Sequence, residues 1–147
     1  MSIFNIRVYA LLLNKESNEV LITDEFRFGK EMTKFPGGGL IWGEGTIDCL
    51  KRECREEMGC EIEVIKHFYT TDFFQPAEFH VNNQLISIYY IIKNTSPLTV
   101  TISKKKNDFT KQEGAQSFRW ISISEITGQE FTFPIDRKVA LILHDGK

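Results

Sequence analysis

The chain has 147 residues, long enough for one compact domain with its own core, and a single domain over 1–147 is the expectation. Ordinary apolar content and a formal net charge of −2 argue against disorder and against a nucleic-acid polymer as partner. No apolar run is long enough for a transmembrane helix, the start lacks a signal-peptide layout, and three cysteines without a Cys-Xaa-Xaa-Cys pair make no disulfide or zinc framework, so a reducing cytoplasm and no membrane partner are expected.

Residues 4–13 read as a buried strand, 15–18 as a turn and 19–24 as the returning strand of a hairpin. Residues 25–33 are polar and read as a loop carrying Arg27 and Phe28. Phe35 closes a short strand that delivers a glycine run, Gly37, Gly38 and Gly39, which cannot continue a helix. The first helix is placed between Thr46 as N-cap and Gly59 as a left-handed C′ residue, with Ile47, Leu50, Cys54 and Met58 as its apolar stripe. Residues 61–74 read as a long, bent strand and 75–78 as a turn. The most strand-like run follows at 85–93. A short strand is expected at 98–102, a charged loop at 103–116, a strand with Trp120 at 117–121, and a brief turn at Ser124. Pro134 suits the first turn of a last helix whose apolar side is Ile135, Val139 and Ile142. Strands, helix, strands, helix is an α/β order, a mixed β-sheet with helices packed on it.

The chemistry concentrates on the first helix. At about 100° per residue, Glu53, Glu56 and Glu57 fall within an arc of roughly 100°. Such like-charged neighbours repel one another, and near a helix C-terminus they also oppose the dipole. A hard divalent cation reverses that cost, because carboxylate oxygens with a backbone carbonyl make a magnesium or manganese site. Glu56, Glu57 and Gly59 alone also describe an ordinary acidic helix end. The longer pattern, with Gly38, Glu44, Arg52 and Glu53 added, arises by chance on the order of 10⁻⁸ per starting position, which decides against that reading.

This stretch resembles the signature of the Nudix (MutT-like) hydrolases. The family pattern is Gly, five residues, Glu, seven residues, Arg-Glu, two residues, Glu-Glu, one residue, Gly and an apolar residue. Gly38, Glu44, Arg52, Glu53, Glu56, Glu57 and Gly59 match it, with Cys54 and Cys60 in the apolar slots. The resemblance implies the Nudix α/β/α sandwich, a mixed β-sheet between helices. It implies Mg2+ or Mn2+ held by Gly38 (through its carbonyl), Glu53, Glu56 and Glu57, with Arg52 and Glu44 fixing the acids from behind. The reaction implied is attack of water on phosphorus in a small-molecule nucleotide diphosphate. The catalytic set is then Glu44, Arg52, Glu53, Glu56 and Glu57, with the base a signature glutamate or a later-loop acid, for which Glu113 is the candidate. Arg27 could meet a phosphate and Phe35, Trp42 and Phe74 could stack a base. Pro76, sixteen residues beyond Cys60, is a single-residue pointer to the ADP-ribose pyrophosphatase branch. The activity expected is cleavage of a nucleoside diphosphate linked to another moiety. A sanitising nucleoside triphosphate pyrophosphatase and a non-catalytic nucleotide-binding regulator are the alternatives. Many relatives are homodimers, and no interface is legible in the sequence.

Overall fold

In a computed structural model that describes residues 3–146, the element order is β1 (Ile3–Asn14), β2 (Glu19–Arg27), β3 (Lys30–Lys34), β4 (Gly37–Gly39), α1 (Thr46–Met58), β5 (Ile62–Thr70), β6 (Asn83–Asn94), β7 (Gln116–Ser122), a 3₁₀ turn (Ile123–Glu125) and α2 (Pro134–His144). Seven strands and two α-helices make this the α/β chain that the pattern of elements implies. The chain divides into two compact units. One holds the chain up to Leu11 with residues 36–98; the other holds residues 12–35 with the chain from Thr99 onward. The single domain expected from length stays an expectation beside that division.

In the first unit, β4 pairs antiparallel with β1, Gly38 standing opposite Val8. β5 and β6 form an antiparallel pair with register shifts between Val64 and Lys66 and between His67 and Tyr69. Those bulges answer to the bend expected of residues 61–74, but the strand ends earlier, at Thr70. The core gathers Val8, Tyr9, Leu50, Cys54, Met58 and Tyr89, all buried, and the rings of Tyr9 and Tyr89 stack at 5.2 Å. Helix α1 buries Cys49, Leu50, Cys54 and Met58 but leaves Ile47 exposed at its first turn. Its N-cap is Gly45, one residue before the Thr46 expected, and the Asp48 carboxylate accepts the Gly45 N–H at 3.1 Å. Asp48 thus supplies one half of a capping box, and glycine at the cap offers no side-chain acceptor for the first-turn amides. At the other end Gly59, φ 60°, caps the helix in the left-handed conformation as expected.

In the second unit β2 lies between β3 and β7, antiparallel to both, and the end of β1 pairs with its start. Here the sequence reading needs correction. Residues 25–33, expected as loop, continue β2 to Arg27, turn through Phe28 and Gly29, and return as β3. Polarity misled because the hairpin mixes exposed Arg27, Lys30 and Glu31 with buried Glu25 and Thr33, and the flanking Thr23, Asp24 and Lys34 are buried polar residues as well. Glu25 and Lys34 meet at 3.4 Å, and Asp24 accepts hydrogen bonds from Thr33 (2.6 Å) and Arg119 (2.7 Å). Residues 98–102 form no strand, only a lone parallel bridge from Ile102 to Phe118. Helix α2 begins at Pro134 as expected and buries Ile135, Val139, Ala140 and Leu143.

Candidate active site

Backbone geometry comes first. Gly37 has φ +150°, and a methyl group on it would overlap the Val8 carbonyl, so only glycine lets β4 lie against β1. Gly38 is bare for another reason. A Cβ there would fall on the carboxylate of Glu53, which lies directly against this backbone. Glu57 reaches the same run and accepts the Gly37 N–H at 3.0 Å. The helix therefore aims two of its acids at the glycine strand instead of at open solvent.

Arg52 organises the others. Its Nε donates to Glu44 Oε2 at 3.0 Å and one terminal nitrogen to Glu44 Oε1 at 2.7 Å, a two-pronged clasp. The remaining nitrogen donates to Glu53 at 2.9 Å and Glu56 at 3.2 Å, and Gly39 O accepts a further bond at 3.1 Å. Glu44 also accepts the Ile41 N–H at 2.9 Å, which ties the loop before the helix to the helix itself. Arg52 and then the Ile41 amide hold the Glu44 carboxyl down at about 2, against an ordinary 4.5. Arg52 is pushed up in turn, first by Glu44. Cys49 lies beside this network with its thiol donating to Gly39 O at 3.5 Å. Burial first, then Glu44, push that thiol to about 12, so at neutral pH it is a protonated packing group.

Among the described residues no three acidic, histidine or cysteine side chains already meet as a metal-holding group. The geometry gives the reason: Arg52 draws Glu44, Glu53 and Glu56 onto itself. The donor set nonetheless fits a hard divalent ion. It is all oxygen, and the Glu53 carboxylate rests on a backbone stripped of side chains at Gly38. Three carboxylates, Glu44, Glu53 and Glu56, share one guanidinium, so the cluster keeps a surplus of negative charge.

The residues expected to meet substrate are dispersed. Trp42 is 99% exposed. Phe74 lines a cavity of about 340 Å3 with Phe4, Pro76, His80 and Gln84, all within the first unit. Phe35 is corrected outright: it is fully buried and stacks on Phe131 at 4.6 Å, so its ring belongs to the core of the second unit. Arg27 and Glu113 also lie in the second unit, 3.7 Å apart, and Glu113 accepts the Phe28 N–H at 3.0 Å. Arg7 stands opposite Gly39 in the β1–β4 pair and donates to the Tyr9 hydroxyl at 2.6 Å.

The family model described as "NUDIX domain" matches residues 4–141. No curated protein matches the chain. Among solved structures, the MutT protein from Methanosarcina mazei Go1 is similar at 18% identity and a TM-score of 0.70, covering 99% of this chain and 96% of that one. The mismatch-repair protein MutT from methicillin-resistant Staphylococcus aureus 252 is similar at 22% identity and a TM-score of 0.67, with both chains fully covered. An ADP-ribose pyrophosphatase from Streptococcus suis is similar at 10% identity and a TM-score of 0.63, covering 97% of this chain and 90% of that one. At such identities the likeness is one of fold.

Proposed function

The chain belongs to the NUDIX family, hydrolases that act on phosphoanhydride bonds, and on that premise we propose that it is a metal-dependent pyrophosphohydrolase cleaving a nucleoside diphosphate linked to a further group, of the ADP-ribose or nucleotide-sugar type. One observation carries the reading: Glu53 and Glu57 are turned onto the bare backbone of Gly37 and Gly38. A run of glycines with carboxylates laid on it has little to offer stability and much to offer a cation.

In this reading Glu53, Glu56 and Glu57, with the Gly38 carbonyl, would hold Mg2+ or Mn2+. When bound, the ion neutralises diphosphate oxygens and lowers the pKa of a water. The chain's own part is to hold that geometry. Arg52 keeps Glu44 and Glu53 in fixed rotamers, and Glu44 locks the loop through the Ile41 amide. A carboxylate accepts the proton of the attacking water, and the P–O bond to the leaving phosphate breaks to give two phosphorylated halves. Glu113 remains the candidate base outside the helix. Arg27, Trp42 and Phe74 remain candidate contacts for substrate.

The test is a panel of ADP-ribose, nucleotide sugars and nucleoside triphosphates with magnesium and manganese. The expected result is hydrolysis of the diphosphate-linked compounds, abolished by chelation, with Glu57→Gln lowering turnover about 10²- to 10⁴-fold. Release of pyrophosphate from triphosphates alone would favour the sanitising activity instead. Absence of any hydrolysis under both metals would leave the nucleotide-binding regulator.

A further inference from the structure

Helix α1 carries the acid cluster, and its first turn lacks the supports usual for a helix start. Gly45 at the cap has no side chain to offer, and Ile47 is 42% exposed, so apolar packing begins only with Cys49 and Leu50. The Asp48 carboxylate closes the turn on itself but does not attach it to the sheet. Tyr90 on β6 makes that attachment. Its hydroxyl shares a hydrogen bond at 2.7 Å with the hydroxyl of Thr46, the first residue of α1. Tyr90 is itself held, since it pairs with His67 across the β5–β6 ladder and the His67 ring stands edge-on to it at 5.9 Å. Its neighbour Tyr89 points to the other face, where it stacks on Tyr9.

The place of this contact on the helix matters. Thr46, Glu53 and Glu57 stand at i, i+7 and i+11, and at about 100° per residue they fall within about 40° of one line along α1. The bond to Tyr90 is therefore on the same side of the helix as the two acids that rest on Gly38 and Gly37. Buried Leu50, Cys54 and Met58 lie to one side of that line. Apolar packing is non-directional and sets how deep a helix sits more firmly than how it is rolled. A hydrogen bond is directional and adds the missing restraint. A roll of about 10° about the axis carries a side-chain tip about 1 Å sideways. That is several times the tolerance of about 0.2 Å in a metal–ligand distance.

We propose that Tyr90 is a positioning residue for the acid cluster: its hydroxyl, through Thr46, sets the roll of α1 and so lays Glu53 and Glu57 against the glycine strand. This rests on the cation-binding reading above. Tyr90 touches neither ion nor substrate in this role. It acts at the far end of the helix from the acids, as a pin that fixes their common line.

Tyr90→Phe keeps the ring and removes only the hydroxyl, and Thr46→Val removes the other partner. Each is expected to raise the calorimetric Kd for Mn2+ about 2- to 10-fold, with the double variant no worse than either and Thr46→Ser close to wild type. The second readout needs no metal. The Gly37 amide, which donates to Glu57, should exchange its hydrogen faster in Tyr90→Phe, while the Ile22 amide on β2 keeps its wild-type rate. Equal acceleration at Gly37 and Ile22 would mean general loss of stability and would overturn the assignment. So would an unchanged Mn2+ Kd, or unchanged Gly37 exchange, in a folded Tyr90→Phe protein. A wild type that binds no Mn2+, with Gly37 exchange still hastened in the variant, would uphold the pin and reject the cation reading.

Discussion

Each unit sets an arginine among carboxylates, and the two do so differently. In the second unit Arg119 meets Asp24, which is fully buried and has both oxygens occupied: Thr33 and Arg119 bond to Oδ1, and Arg119 and the Asn107 amide bond to Oδ2. Burial pushes the Asp24 carboxyl up, yet Arg119, Thr33 and Asn107 together bring it below the usual range. In the first unit Arg52 serves Glu44, Glu53 and Glu56 at once and cannot neutralise them all. A pair that balances its charge and saturates its hydrogen bonds is a fastening. A cluster that leaves charge over is what the proposed cation site would require.

The comparison can be broken first at the fastening, where the effect should be largest. Asp24→Asn leaves Arg119 without its partner in a buried site, and the unfolding free energy should fall by about 3–5 kcal/mol. Urea denaturation reads this directly, and a loss under about 1 kcal/mol would mean the pair is no fastening. Next comes Gly38→Ala. The added methyl must push the Glu53 carboxylate aside, and a displacement of that kind should lower turnover about 10²-fold. Full turnover in a folded Gly38→Ala enzyme would move the chemistry away from this backbone. The smallest effect is the most diagnostic of Arg52. The Glu44 carboxyl is held at about 2 against 4.5, so its contribution to stability is whole above about pH 4.5 and drains away as pH falls toward 2. Glu44→Gln should therefore flatten the melting temperature between those values, and superimposable profiles for variant and wild type would refute the clasp.

The same contrast explains what the sequence disclosed. Helix α1 was legible to within a residue because local rules agree on it: a left-handed glycine past its end, Leu50, Cys54 and Met58 at helical spacing, and acids on one arc. The grouping of Glu44 with Arg52 was legible because both lie within one motif. The β2–β3 hairpin was not, since its run of charged residues, some exposed (Arg27, Lys30, Glu31) and some buried (Glu25), shows no apolar alternation, and Glu25 meets Lys34 only once the strand has turned back. Phe35 failed in the opposite sense: next to a motif, an aromatic residue invites a role in binding, yet Phe131 packs over it.

Cys49, Cys54 and Cys60 are all buried, and burial pushes each thiol up. A thiol-directed reagent meets no ready thiolate while α1 stays packed. The rate at which label accumulates on Cys49 and Cys54, the two within α1, is thus a clock for how often the acid-bearing helix lifts away from its bed, with no engineered reporter required.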